Sequence, residues 1–182
     1  MTSAAQQLVT HLETHLPDFL AYWLQHMKIA DDDKYIDCVE QNGLAVFTLV
    51  KEALLQSWPG EMVERLANKI AKEREEMNTG IGALVYNVNL GRRLIINHAL
   101  AAPLSVDELA PLIDHMNELF DQFLFHAVTK YNELKEKELH EKNALIARSH
   151  QDRLTLLGQM SSSFIHEFRN PLTAIIGFIQ LL

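Results

Sequence analysis

The stretch YNELKEKELHEKNALIARSH, Tyr131–His150, decides how the rest of the chain is read. It is dense in Lys and Glu, spaces Leu134, Leu139, Leu145 and Ile146 among them, and holds neither Gly nor Pro. That pattern predicts one long exposed helix. Its apolar positions form no strict a/d seam, and a helix this polar is only marginally stable alone in water. Pairing with a second copy of the chain is therefore the expected support. No breaker lies between Pro111 and Pro171, so the helix is expected to run unbroken from near Leu109 through Phe168.

Working back from this helix, Ser105 and Glu108 form an S-x-x-E capping box and set its start near Val106. Ile81–Leu100 reads as an apolar, buried helix that stops before Pro103. Glu61–Met77 alternates Met62, Leu66 and Ile70 with charges, which predicts an exposed helix closed by Asn78, Thr79 and Gly80. Ile36–Leu55 is a second apolar segment, preceded by an acidic loop at Asp31–Asp37 and ended by Trp58, Pro59 and Gly60. Leu8, Leu12, Leu16, Phe19, Trp23 and Met27 make an amphipathic stripe that Pro17 is expected to split in two. Phe19, Trp23, Phe47, Tyr86, Phe120 and Phe123 are assigned to the core, and Gly82 and Gly91 to close helix crossings. Period-2 alternation is absent, so the fold class is all-α.

Composition agrees. Of 182 residues 48% are hydrophobic and only 7 are Gly and 5 Pro, which excludes disorder and low complexity. A formal charge of -8 argues against nucleic acid or an anionic membrane as partner. The single Cys38 rules out an internal disulfide and favours a reducing compartment. No run reaches the ~18 apolar residues of a membrane helix. The start, MTSAAQQLVTHLETHLP, lacks the basic and apolar regions of a secretory signal, so a cytoplasmic location is expected.

The chemistry concentrates near the end. Ile165, Phe168, Leu172, Ile175, Ile179 and Leu182 step by 3, 4, 3, 4 and 3, a seam for packing in a helical bundle. His166 lies about 100° off that seam, which puts its ring at the solvent edge. Glu167 is placed to take the Nδ1 proton of His166 and leave Nε2 as a lone-pair nucleophile. Asn170 shares the face of His166 and can position a water or a phosphoryl oxygen. Pro171 removes the N–H that would bond the Glu167 carbonyl, building a hinge beside the nucleophile. Leu172–Leu182 stops without a capping residue, read as truncation inside a helix.

HEFRNPL, His166–Leu172, resembles the H-box of two-component sensor histidine kinases, and LGQM, Leu157–Met160, is similar to its usual lead-in. The resemblance implies that His166 receives the γ-phosphate of ATP and passes it to an Asp of a response regulator, with Glu167 as acid/base partner and Asn170 serving phosphatase activity. It implies a homodimer, and an ATP-binding domain that this chain lacks, so that the chain alone is expected to be inactive as a kinase. The expected organisation is a sensor at 1–126, a signalling helix at 127–153 and the first phosphotransfer helix at 154–182.

VYNVNLGRR, Val85–Arg93, within an all-helical segment is similar to the heme-free globin-like sensor domains of sporulation kinases. This resemblance implies a small apolar ligand such as a fatty acid. Tyr86 and Arg93, seven residues apart on one face, are the candidate ligand contacts. His98, His115 and His126 are the residues a heme would use, but with no C-x-x-C-H motif heme is not expected. His11 and His15 lack the third ligand of a zinc helix, and no metal site is expected. The competing readings are a stand-alone ligand-binding decoy and a heme-dependent gas or redox sensor.

Overall fold

A computed structural model describes residues 3–28, 36–56 and 59–179, with side chains described throughout except at 36, 37, 162, 166, 167 and 170–179. The acidic stretch 31–35, Trp58 and Leu182 lie outside the described residues. Six helices follow in order: α1 (Ala4–Thr14), α2 (Leu16–His26), α3 (Ile36–Leu55), α4 (Gly60–Glu76), α5 (Ile81–Leu100) and α6 (Val106–Ile179). The protein is all-α, with no strand among the described residues. None of the described helices is long and apolar enough to cross a membrane.

Local chemistry sets the boundaries. Ser3 caps α1 by accepting the Gln6 N–H at 3.2 Å. The stripe Leu8–Met27 breaks at His15, where Pro17 enters the first turn of α2. The α4 C-terminus closes on Asn78 at φ 51°, the left-handed conformation that a C′ residue needs. There the Thr79 N–H donates back to the Arg74 carbonyl at 2.9 Å. At the start of α6 the Ser105 N–H and Oγ both reach Glu108 Oε2, at 3.0 and 2.6 Å, and the Glu108 N–H returns to Ser105 Oγ at 3.4 Å. These bonds hold the Glu108 carboxyl below its ordinary value.

Two compact units result, Met1–Lys135 and Glu136–Leu182. In the first, α1 packs on α3 and α5, and α2 on α3 and α5. The N-terminal part of α6 completes the core: Met116, Leu119, Phe120, Phe123 and Ala127 are all essentially inaccessible. Each large apolar side chain so buried contributes about 1.5–3 kcal/mol. The burial of Ala127 and Tyr131 carries this unit past residue 126, to Lys135, which pairs with Glu75 of α4 at 3.2 Å. Beyond that point Leu139, Leu145 and Ile146 are exposed, as the Lys- and Glu-rich pattern predicts. The α6 helix is continuous from Val106 to Ile179 and passes through both Pro111 and Pro171.

Two expectations change. Helix α4 is not merely exposed: Met62 is open to solvent, but Val63, Ala67, Ile70, Ala71 and Arg74 are buried. Tyr86 is 40% exposed and belongs to the surface, unlike Phe19, Trp23, Phe47, Phe120 and Phe123, which are core.

Candidate functional site

Helices α2, α3, α4, α5 and α6 all contribute to a cavity of about 50 Å³ inside the first unit. Its wall is apolar: Phe19 and Trp23 from α2, Val46 from α3, Ile70 from α4, Leu84, Val88 and Ile95 from α5, and Phe120 and Phe123 from α6. On this measure the space holds roughly three to five waters, at about 10–15 Å³ each. Trp23 fixes one side. Its Nε1–H donates to the Asn87 carbonyl at 2.9 Å, and its ring lies against Gly43 and Gly91. A Cβ at Gly43 would stand 2.7 Å from Trp23 Cζ3, so only glycine lets α3 come this near, whereas Gly82 faces no such neighbour.

Three polar side chains reach the wall, and two are committed elsewhere. Asn87 binds the Lys28 backbone in both directions, accepting its N–H at 2.7 Å and donating to its carbonyl at 2.8 Å. Asn42 donates to Glu73 Oε2 at 2.6 Å and accepts from Lys69 at 3.5 Å. The third, Arg74, is 4% exposed, and its Nη1 has no hydrogen-bond partner among the described residues. Desolvation pulls this guanidinium below its ordinary value, while Cys38 and Glu73 push it back up. A buried donor left unpaired costs about 1–3 kcal/mol, more when charged. An acceptor oxygen within reach of Nη1 would remove that cost.

Glu73 anchors the adjoining network. Burial opposes its ionisation, yet hydrogen bonds from Asn42 and Cys38 and the nearby Lys69 outweigh that and hold its carboxyl below the ordinary value. Cys38 Sγ donates to the same oxygen at 3.3 Å, and burial, the bond to Glu73 and its charge push the thiol up.

Neither Tyr86 nor Arg93 borders the cavity. They share a helix face, as their spacing requires, but the inward face of α5 is Leu84, Asn87, Gly91 and Ile95. Tyr86 instead carries Lys28 Nζ over its ring at 4.7 Å, and Arg93 is exposed. His98, His115 and His126 are not brought together either: His98 sits beside His15, and His126 packs edge-on against Phe125. None of the three lines the cavity. No group of three or more potential ligand residues among those described is placed to hold a metal ion. His166, Glu167, Asn170 and Pro171 all lie within α6, and their side chains are outside the described ones. Their neighbours Phe164, Ile165 and Phe168 are exposed.

Sequence reasoning passed over Arg74, one charge among many in KIAKEREE, Lys69–Glu76. The signal was its register. Val63, Ala67, Ile70, Ala71 and Arg74 step by 4, 3, 1 and 3, which places the guanidinium on the inward stripe.

Residues 5–133 match the family described as Histidine kinase N terminal, and the chain belongs to that family. It is similar to the Bacillus anthracis protein pXO2-61, 23% identical over 128 residues, which are 70% of this chain and 94% of the relative. The crystal structure of pXO2-61, titled a sporulation inhibitor, shares the fold with a TM-score of 0.65, covering 70% of this chain and 97% of that one. Sporulation kinase D of Bacillus subtilis is 26% identical over 159 residues, 86% of this chain but 26% of the kinase. Sporulation kinase B of the same organism is 46% identical over 33 residues, 18% of this chain and 8% of the kinase. The chain thus spans about a quarter of the one kinase and less than a tenth of the other. It is a sensor-kinase N-terminal region.

Proposed function

We propose that this member of the histidine kinase N-terminal family senses a small apolar carboxylic acid and carries the phospho-acceptor of a cytoplasmic two-component kinase that controls sporulation. The observation that supports joining the two roles is the single helix α6: it contributes Phe120 and Phe123 to the cavity wall and stays helical through His166. A ligand between α2 and α6 presses directly on the element that holds the acceptor. An acid is favoured over a neutral ligand because Arg74 Nη1 is buried and without a hydrogen bond while the other two polar side chains of the wall, Asn42 and Asn87, are already bonded, and a carboxylate is the matching acceptor.

At the acceptor, the lone pair of His166 Nε2 attacks the γ-phosphorus of ATP held by a kinase ATP-binding domain. The bond to the β–γ bridging oxygen breaks, and ADP leaves with that electron pair. Glu167 takes the Nδ1 proton, Asn170 orients the phosphoryl group or a water, and the phosphoryl group passes to a response-regulator Asp. Pro171 supplies the hinge, and two copies pair along α6. Incubation with ATP and a histidine-kinase ATP-binding domain is expected to label the chain, and His166→Gln to abolish the label. Label that survives this substitution would remove the acceptor assignment.

A stand-alone binding role is the second reading. It is favoured by the match to nearly the whole length of pXO2-61, a sporulation inhibitor. In that case acid binding is retained and no label appears in either protein.

A further inference from the structure

Away from the cavity, three imidazoles gather where α1 turns into α2 and meets the end of α5. The His11 and His15 ring centres are 4.5 Å apart, and those of His15 and His98 5.4 Å. His11 Nε2 lies 3.1 Å from the His98 carbonyl oxygen, and His15 Nδ1 2.9 Å from the His11 carbonyl oxygen. A carbonyl only accepts, so both of these ring nitrogens carry their protons already. Any further proton enters on the opposite nitrogen and turns the ring into a cation. We propose that His11, His15 and His98 form a proton-sensitive latch, closing the α1–α2 junction onto the last turn of α5 while neutral and loosening it on acidification.

The groups around the cluster set the sign. Partial burial opposes the charging of His98 most strongly, and His15 and then His11, from the α1–α2 junction and α1, oppose it too. From α2, Asp18 favours the charged form, the weakest of the four influences. From α3, Lys51 is engaged with Glu13. The net effect holds His98 below its ordinary value. A histidine depressed in the folded state takes up its proton on unfolding. Stability is therefore complete above about pH 6.5 and declines as pH falls from there toward the folded-state value.

The latch adjoins the cavity at two points. The Phe19 N–H donates to the His15 carbonyl at 3.0 Å, and Ile95 lies one turn before His98. Loosening the junction therefore relaxes two wall residues. This inference does not depend on which ligand the cavity takes.

The test is urea unfolding of the full chain, followed by circular dichroism from pH 8 to 5.5, for the native protein, His98→Gln, His15→Gln and the control His140→Gln on the exposed part of α6. One linked proton raises the unfolding constant by up to about tenfold per pH unit below pH 6.5. His98→Gln is expected to flatten that rise, His15→Gln to lessen it, and His140→Gln to retain it. The native slope persisting in His98→Gln would overturn the latch. Should those variants fail to fold, the ring resonance of His98 in the native protein decides: a midpoint below 6.5 supports the latch, and one at or above 6.5 overturns it.

Discussion

Arg74 and Gly43 show what single positions do here and how unevenly a sequence reveals them. The Tyr86 and Arg93 pair follows from helical spacing, but spacing alone does not say which face of α5 turns inward. Asn87 and Gly91 settle that, because the Trp23 indole N–H bonds the Asn87 carbonyl and the ring lies against Gly91. Gly43 could not be recognised in the apolar run around it, since its need for no side chain comes from a tryptophan on another helix. Gly43→Ala is expected to lower stability by about 1–3 kcal/mol, the cost of overpacking against a ring with little room to move. Gly91→Ala, where the nearest Trp23 atom is 3.5 Å from the new Cβ, is expected to be neutral or to stabilise by up to about 1 kcal/mol through helix propensity. Equilibrium urea unfolding of the two variants checks the contrast.

At the scale of elements, the features carried by local chemistry were legible: the break at Pro17, the closure at Asn78 and the capping box at Ser105 and Glu108. So was the unbroken run of α6, which follows from the absence of Gly and Pro between Pro111 and Pro171, Gly158 excepted. The inward face of α4 was harder to see, because charges crowd the stripe and its apolar members are mostly small. Two regimes are expected along α6. Around Met116–Ala127 the helix is buried, whereas from Leu139 to Met160 it is exposed, so hydrogen exchange should be slower in the first segment by several orders of magnitude. Full protection factors in both segments of a single chain would contradict this division. Fully unprotected amides across 133–150 would defeat the idea that α6 transmits a signal as a rigid element.

For the whole molecule, the balance of burial argues for association. Leu154, Leu157, Ile165 and Phe168 each expose 60% or more of their surface in the single chain. Side chains of this kind contribute about 1.5–3 kcal/mol each when covered, and two identical helices with 3,4 spacing can share one seam. Light scattering after size exclusion should give a dimer or larger, and removal of residues 150–182 should weaken it. A monomer at tens of micromolar with its helix content intact would contradict the pairing.

The central claim, that the first unit is a receptor for a small apolar acid, meets its most direct test in isothermal titration of propionic acid and 1-propanol, sized to a cavity of about 50 Å³, into the native protein and Arg74→Met. The account predicts one acid site per chain, at least tenfold weaker binding of the alcohol, and loss of acid binding in the variant. Met fills the same space and removes a buried nitrogen that has no hydrogen bond to lose, so thermal stability should stay unchanged or rise, which separates lost binding from lost folding. Equal affinity for acid and alcohol, or acid binding undiminished in Arg74→Met, would contradict it.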